Sequence, residues 1–317
     1  MSGYGNQSKK GYGSGAHGGR AMSVAEVLSG ERRHWCEQAD ALQFLRALPD
    51  DSVDLLFTSP PYTDARDYAE AQAARDTAAW VEWLRPIVRE SCRVSKCLAF
   101  FNVSDRVKQC VYQGGPELLF ADLTRVDRLS GVRPYAWVKS GPGFDDPGNG
   151  TPGSGAKHFH RNDWEPVYGF SEPHKLPPTW SDNTAFGLPP KWESGGPGTH
   201  RSKSGKRAND GKKYIPPPIS NPGNVLRVMV GGGHLGHPMA HDGEAPMPVA
   251  VAERFVCWFC PPDGIVCDPF TGSGTTADAA FRHNRRFVGC DLRQSQVDLC
   301  RRRMATVTPD LFAGVLS

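Results

Sequence analysis

Two spacings of apolar residues alternate along the first part of the chain, and they predict helices and strands in turn. Apolar residues recur at helical spacing over residues 39–48, and the compact apolar run 53–57 predicts a buried strand. The same pair of patterns follows over residues 69–95 and 98–103. These four segments predict the order helix, strand, helix, strand.

The last part of the chain repeats this alternation. A helix is predicted over residues 247–260 and another over 275–283, and short apolar strands are predicted over 264–267 and 287–290. Strands that alternate with helices predict an α/β fold with a mostly parallel sheet. The expected architecture is therefore Rossmann-like and doubly wound.

Glycine and proline divide the chain into unequal parts. The chain has 35 Gly and 27 Pro, of which seven glycines lie in residues 1–20 and 32 of the combined total lie in residues 141–236. Such densities are typical of loops and flexible tails. We therefore predict a disordered tail over 1–20, a core split between 21–140 and 237–317, and a loop-rich insert over 141–236.

Length, charge and cysteine content exclude few classes of protein. The 317 residues suffice for a large core, and the net charge of +3 excludes neither a nucleic acid nor a small-molecule substrate. Nine irregularly spaced cysteines favour reduced thiols over a disulfide framework. Because no apolar run is long enough for a membrane span and no signal peptide is evident, we expect a soluble, cytoplasmic protein without a membrane partner.

A glycine-rich turn follows the strand predicted at 264–267. Asp268 stands at the end of this strand, Gly272 and Gly274 follow, and Thr275 or Thr276 is a plausible cap of the next helix. Glycines at such a turn let a ligand approach the backbone closely.

Asp291 adds to this pattern, because it follows the next predicted strand, nineteen residues after Gly272. An acid at that place can bind both hydroxyls of a ribose. The turn lacks the Gly-Lys-Ser/Thr ending of a phosphate-binding loop and the third glycine of a dinucleotide site. S-adenosylmethionine, which has a ribose and no phosphate, is the cofactor that fits best.

A second candidate loop, Thr58-Ser59-Pro60-Pro61-Tyr62, follows the strand predicted at 53–57. An exocyclic base amine is a poor nucleophile, because its lone pair is conjugated with the ring. A site must therefore accept the hydrogens of that amine. The Ser59 hydroxyl and the Pro60 carbonyl are suited to this, and Tyr62 could stack on a base flipped out of the duplex. The alternative is an ordinary Pro-Pro turn beside a packed tyrosine.

Together, Thr-Ser-Pro-Pro-Tyr at 58–62 and Asp-Pro-Phe-Thr-Gly-Ser-Gly-Thr-Thr at 268–276 resemble the motifs of DNA amino-methyltransferases. The resemblance covers about residues 34–140 and 237–306. It is to the permuted group, in which the catalytic motif precedes the cofactor motif. It implies a methyltransferase sheet with a catalytic loop formed by Ser59, Pro60, Pro61 and Tyr62. The candidate cofactor residues are Asp40, Asp268, Phe270, Gly272, Ser273, Gly274, Thr275 and Asp291.

The resemblance also bears on the target base. Relatives with serine at the position of Ser59 usually methylate cytosine N4, whereas those that methylate adenine N6 usually have Asp or Asn. We therefore predict cytosine N4, with adenine N6 as the alternative. Enzymes that methylate cytosine C5 use a cysteine nucleophile that directly follows a proline. Methylation at C5 is disfavoured because no cysteine in this chain follows a proline. An RNA or protein amine methyltransferase and a catalytically silent DNA-binding protein are further alternatives.

The insert carries a basic cluster that suits a DNA partner. Residues 191–213 contain seven basic residues against two acidic ones, a local charge of +5. We predict that this cluster contacts double-stranded DNA; a solvated basic loop is the alternative. A cognate restriction endonuclease is a further candidate partner. The cluster consists of Lys191, Arg201, Lys203, Lys206, Arg207, Lys212 and Lys213.

Two groups of potential metal ligands are assigned other roles. Cys257 and Cys260 have the spacing of zinc ligands but lie in a predicted apolar helix, which favours buried thiols. His234, His237 and His241 lie in a glycine-rich stretch without further ligands nearby, which favours surface histidines. No metal is therefore predicted.

Overall fold

The computed structural model describes the chain in eleven stretches. Most of the predicted N-terminal tail lies outside them, although residues 18–20 belong to the first helix. The described residues are 18–62, 76–104, 107–108, 111–139, 163–190, 197–201, 204–205, 207–213, 215–230, 233–242 and 246–307.

The described part of the chain forms an α/β fold. Short 3₁₀ helices lie at Pro173–Lys175 and Pro238–Asp242. The α-helices are α1 (Gly18–Ser29), α2 (Ala41–Ala47), α3 (Thr77–Val94), α4 (Gly115–Arg125), α5 (Val249–Phe259), α6 (Thr275–Arg282) and α7 (Gln294–Met304). The strands are β1 (His34–Gln38), β2 (Val53–Thr58), β3 (Ser95–Asn102), β4 (Val107–Lys108), β5 (Val111–Tyr112), β6 (Ser130–Gly131), β7 (Tyr135–Val138), β8 (Trp164–Ser171), β9 (Pro197–Arg201), β10 (Arg207–Lys213), β11 (Val225–Arg227), β12 (Ile265–Asp268) and β13 (Arg286–Asp291).

The main sheet has the strand order β1-β13-β12-β2-β3-β8-β7-β11, and β6 pairs with β8. The first five strands in this order, β1, β13, β12, β2 and β3, are parallel to one another. Strand β8 runs antiparallel to both β3 and β7, and β11 is parallel to β7. The predicted mostly parallel α/β sheet is thus confirmed, and the carboxyl ends of β2, β12 and β13 share one edge.

Both faces of the sheet are covered, which explains the continuous apolar run of β2. Leu55 and Phe57 pack with α5 in one buried cluster, whereas Leu56 packs with α2 and α3 in another. Successive side chains of a strand point to opposite faces, so a strand that is buried on both sides is apolar throughout. A two-layered core therefore holds the carboxyl end of β2 in place.

Helix α3 covers the second face through a regular apolar stripe. Trp80, Leu84 and Val88 are buried at helical spacing. Residues 69–75 of the predicted helix lie outside the described residues, and α3 begins at Thr77. The Asp76 side chain caps its first turn by accepting a hydrogen bond from the Ala79 amide at 2.9 Å. Of the helices described, none has both the length and the apolar character needed to cross a bilayer.

The predicted insert contributes to the main sheet. Strands β8 and β11 both lie within residues 141–236, yet they pair with β3 and β7, respectively. Strands β9 and β10 form a separate antiparallel hairpin. The main sheet therefore continues into the range assigned to the insert. The high glycine and proline content of that range gave no indication of these two strands.

Candidate active site

The carboxyl ends of β2 and β12 are joined by a buried hydrogen bond. Thr58 Oγ1 donates to Asp268 Oδ1 at 2.5 Å, and both side chains are buried. The Phe270 amide donates to the same carboxylate oxygen at 2.9 Å. Burial raises the pKa of Asp268 to about 6, although these two hydrogen bonds and one from Thr276 oppose the rise. Asp268 thus links the two predicted loops.

The glycine-rich turn after Asp268 takes a backbone path that favours glycine. Gly272 and Gly274 have φ values of +50° and +85°. Gly274 is the N-cap residue of α6, so the prediction that Thr275 or Thr276 caps this helix was wrong. A Cβ on Gly274 would lie 2.8 Å from Cys300 Sγ, whereas one on Gly272 would meet no atom closer than 3.9 Å. The turn is closely packed at Gly274 and open at Gly272.

Asp291, at the end of β13, fixes this turn from the neighbouring strand. Its Oδ2 accepts a hydrogen bond from the Gly272 amide at 3.0 Å, and its Oδ1 accepts one from the Arg293 amide at 3.0 Å. Burial raises the pKa of Asp291, against the effect of these two amides. A carboxylate can accept about four hydrogen bonds, so Asp291 can also receive the hydroxyls of a ribose.

Ser273 and Thr275 face the interior of the protein. The fully buried Arg303 of α7 lies behind them, and its Nη1 is 3.4 Å from Ser273 Oγ and 3.3 Å from Thr275 Oγ1. The charge of Arg303 is balanced by the equally buried Asp278, 2.8 Å away. These hydroxyls therefore support the turn from behind, and a direct contact of either with a cofactor stays a prediction.

Asp40 follows β1 and Phe270 follows β12, the two strands that flank β13. Asp40 caps α2 by accepting a hydrogen bond from the Gln43 amide at 3.0 Å, and the preceding Ala39 amide donates to the Asp291 carbonyl. The Phe270 ring lies 5.7 Å from that of Trp83, a residue of α3 that the sequence did not single out for this site. The capping role of Asp40 is structural, and its cofactor role stays a prediction.

The catalytic loop predicted at 59–62 begins directly after Thr58. Ser59 Oγ lies 3.2 Å from the Tyr62 hydroxyl, so the two polar groups of the loop face each other. The buried Trp80 of α3 donates its indole N–H to the Pro61 carbonyl at 2.9 Å. That bond anchors the second proline, whereas the Pro60 carbonyl is the acceptor proposed for an amine.

Two polar residues that the sequence did not single out contact Tyr62, and a third forms an ion pair with one of them. Asn102, at the end of β3, donates from Nδ2 to the Tyr62 oxygen at 3.1 Å and to Glu165 Oε2 at 3.0 Å. Glu165 lies on β8 and forms an ion pair with Lys139 at 2.5 Å. The apolar pattern of residues 164–171 could have indicated strand β8. The pattern does not indicate that β8 pairs with β3, because that pairing is a long-range contact.

The basic residues predicted to bind DNA are only partly described. Lys191, Lys203 and Lys206 lie outside the described residues. The others lie on the β9–β10 hairpin, where Arg207 pairs with Arg201 across the strands. The hairpin backbone thus brings basic residues that are separate in sequence onto one ribbon, while Lys212 and Lys213 end β10.

The cysteines and histidines weighed as metal ligands make other contacts. Cys260 is buried, and burial raises the pKa of its thiol. His237 accepts a hydrogen bond from the Met239 amide at 3.2 Å and lies 3.1 Å from Thr306 Oγ1. Within the part of the chain that the structure describes, His, Cys, Asp and Glu form no group of three that could hold a metal ion.

Relatives of known sequence cover most of the chain. DNA adenine methyltransferase YhdJ of Escherichia coli K12 is 24% identical over 270 residues, which are 84% of this chain and 80% of the relative. Type II methyltransferase M.ScaI of Streptomyces caespitosus is 24% identical over 282 residues, or 86% of this chain and 82% of that protein.

Solved structures share the fold at low sequence identity. The cytosine-N4-specific PvuII DNA methyltransferase superposes with a TM-score of 0.60 at 18% identity and covers 86% of both chains. TTHA0409 of Thermus thermophilus, in complex with S-adenosyl-L-methionine, gives a TM-score of 0.53 at 22% identity over 87% of this chain and 95% of its own. Residues 53–302 match the N6/N4 DNA methylase family, and the chain therefore belongs to that family.

Proposed function

We propose that the protein transfers a methyl group from S-adenosylmethionine to the exocyclic N4 amine of a cytosine flipped out of double-stranded DNA. The hydrogen bond between Thr58 and Asp268 carries this assignment, because it places the loop that would hold the amine beside the turn that would hold the cofactor. Two reactants held side by side react far faster than free ones.

The residues at the turn fit S-adenosylmethionine. The space next to Gly272 is open, the Asp291 carboxylate has further acceptor capacity for a ribose, and Phe270 with Trp83 offers an aromatic wall. When bound, S-adenosylmethionine supplies a methyl group on a positively charged sulfur, which an amine nitrogen can attack directly. Asp268, Ser273, Gly274 and Thr275 would shape the turn, and Asp40 would line the adenine side.

The catalytic loop would make the amine more nucleophilic. Ser59 Oγ and the Pro60 carbonyl would accept its two hydrogens, which favours a tetrahedral nitrogen whose lone pair has left conjugation with the ring. Tyr62 would stack on the flipped base, and Pro61, anchored by Trp80, would hold the loop rigid. Direct transfer of this kind needs neither a covalent enzyme intermediate nor a metal ion.

Adenine N6 is the second candidate target. The neutral hydroxyl of Ser59 favours cytosine N4, as does the similarity of fold to the PvuII enzyme. YhdJ, which is named an adenine methyltransferase, aligns over 84% of this chain and favours adenine N6. The order of the two loops along the chain supports the permuted group of the family.

DNA contacts would come from the basic cluster. The residues Lys191, Arg201, Lys203, Lys206, Arg207, Lys212 and Lys213 would bind phosphates, which predicts affinity that falls steeply with salt. The type II methyltransferases among the relatives, M.ScaI and M.BglII, support a role in a restriction-modification system with a cognate endonuclease as partner.

The test is to incubate the protein with tritiated S-adenosylmethionine and unmethylated genomic DNA, digest the DNA and identify the labelled nucleoside. Label in N4-methylcytosine is expected. Label in N6-methyladenine would move the target to adenine and leave the cofactor assignment intact. No labelled nucleoside although the cofactor is bound would contradict the proposal, and RNA and protein would then be tested as substrates.

Two glycine variants test the cofactor site separately. Gly272→Ala places a methyl group in the space assigned to the cofactor, and Gly223→Ala is its matched control, because Gly223 also has a positive φ, +79°, and open surroundings. We expect at least tenfold weaker cofactor binding by calorimetry for Gly272→Ala and unchanged binding for the control. Equal affinities would contradict this placement.

A further inference from the structure

The Tyr62 hydroxyl occupies the centre of a chain of polar groups that leads away from the catalytic loop. It lies 3.2 Å from Ser59 Oγ on one side and 3.3 Å from Glu165 Oε2 on the other. Glu165 is only 7% exposed. The chain therefore connects a hydroxyl of the proposed amine site to a buried carboxylate on β8.

The direction of these hydrogen bonds follows from the donors available. Glu165 forms an ion pair with Lys139, and a carboxylate can only accept hydrogen bonds. The Asn102 amide must point its Nδ2 at Glu165, since a flipped amide would bring two acceptor oxygens to 3.0 Å. That same Nδ2 donates to the Tyr62 oxygen. Tyr62 therefore accepts from Asn102 and donates its own hydrogen to Glu165.

Ser59 is oriented in turn by Tyr62. Because the Tyr62 hydrogen is committed to Glu165, the hydrogen between Tyr62 and Ser59 must come from Ser59. The lone pairs of Ser59 Oγ are then left to accept a hydrogen from an incoming amine. Glu165 thus determines, through Tyr62, that Ser59 acts as an acceptor.

We propose that Glu165 is a positioning residue that sets this direction and receives the proton that the target amine loses; the inference rests on the proposed function. The amine nitrogen forms a bond to the methyl carbon while the carbon–sulfur bond breaks and its electron pair goes to sulfur. As the nitrogen gains positive charge in this same step, it passes a proton to Ser59. Ser59 passes its own proton to Tyr62, and Tyr62 passes its proton to Glu165, which becomes a neutral acid.

The two hydroxyl links of this chain of polar groups are longer than typical hydrogen bonds. The two oxygen–oxygen distances exceed the usual 2.7–2.8 Å for hydroxyl bonds. Catalytic hydrogen bonds are often long without substrate and shorten in the reactive complex. Contacts with Lys139 and Asn102 hold the Glu165 side chain in position.

Two variants break the chain at different links. Tyr62→Phe removes the central hydroxyl and keeps both the ring and the Glu165–Lys139 pair, whereas Glu165→Gln removes the terminal acceptor. We expect each to lower the single-turnover rate of methyl transfer about 10- to 100-fold with less than threefold change in cofactor affinity. Glu172→Gln is the matched control. Glu172 is also paired with a lysine, Lys175, but it is not part of the hydrogen-bonded series from Ser59 to Glu165.

A double variant and a solvent isotope effect separate this role from a purely structural one. If Glu165 acts through Tyr62, Glu165→Gln adds no further loss in the Tyr62→Phe background. The wild-type transfer step should also slow in deuterium oxide, and both single variants should lose that effect. Additive losses, or a Tyr62→Phe rate within twofold of wild type, would overturn the inference. A wild-type protein that methylates no DNA would instead overturn the proposed function.

Discussion

Thr58 and Asp268, which are 210 positions apart in sequence, form a buried hydrogen bond of 2.5 Å between the ends of two neighbouring parallel strands. Thr58 immediately precedes the catalytic loop, and Asp268 begins the glycine-rich turn. The Phe270 amide shares the same carboxylate oxygen. A single carboxylate therefore sets the spacing between the two halves of the proposed active site.

Thr58→Val should destabilise the protein and impair methyl transfer. The nearly isosteric valine leaves a buried carboxylate without its hydroxyl donor, which costs about 1.5–3 kcal/mol at neutral pH. Urea unfolding measures this loss, and Thr58→Ser, which keeps the hydroxyl, is the control. Equal stability of the valine and serine variants at pH 7.5 would show that the bond contributes nothing.

Asp268 should make stability fall as the pH rises through 6. Its folded-state pKa of about 6 exceeds the ordinary value of 3.8, so the folded protein binds this proton more tightly than the unfolded chain. The stabilisation is complete below pH 3.8 and is lost as the pH passes 6. From pH 4.5 to 7.5, the wild type should lose about 2 kcal/mol of unfolding free energy relative to Asp268→Asn.

Urea unfolding of both proteins at these two pH values measures the difference, and most other titrating groups cancel in it. A constant difference between wild type and variant would show that Asp268 does not titrate in this range.

Arg303→Lys should loosen the glycine-rich turn. Arg303 contacts both Asp278 and the carbonyl and hydroxyl of Ser273, whereas a single ammonium group cannot reach both partners. We expect about tenfold weaker binding of S-adenosylmethionine in calorimetry together with lower stability. The adjacent Arg302, which is exposed on the same helix, gives the control Arg302→Lys. Unchanged cofactor affinity in Arg303→Lys would mean that the turn keeps its shape without this support.

Trp80→Phe should slow methyl transfer by releasing the catalytic loop. The change removes the indole donor that holds the Pro61 carbonyl at 2.9 Å. Trp258→Phe is a matched control, because the buried Trp258 makes the same kind of bond, at 2.8 Å, to the Ala185 carbonyl. Both variants should lose about 0.5–1.5 kcal/mol of stability. A transfer rate that falls equally in both would contradict a specific role for Trp80.

The sequence predicted those parts of the site that depend on local pattern. Strand β2 was expected at 53–57 and β12 at 264–267, and both lie within one residue of the observed bounds. Continuous apolar runs that end in loop residues are typical of buried parallel strands. The carboxyl ends of parallel strands share one edge of a sheet, so Ser59 and Gly272 could be predicted to lie at the same edge.

The remaining site residues depend on contacts that local pattern does not encode. Glu165 reaches Tyr62 only because β8 pairs antiparallel with β3, and Arg303 is a charged residue near a helix end that normally faces solvent. Gly274 replaced the expected threonine cap because the chain turns there through a positive φ. These residues are fixed by tertiary packing.

The strand order β1-β13-β12-β2 has a consequence for how the chain folds. Strands β1 and β2 are successive in sequence, yet β12 and β13, the last two strands among the described residues, lie between them. Until β12 has been synthesised, the edge of β2 that pairs with it has no partner. An unpaired strand edge can associate with other chains. Pairings between such distant segments form slowly. Because β12 and β13 lie between β1 and β2, the edge that carries the proposed active site is complete only once these distant segments have paired.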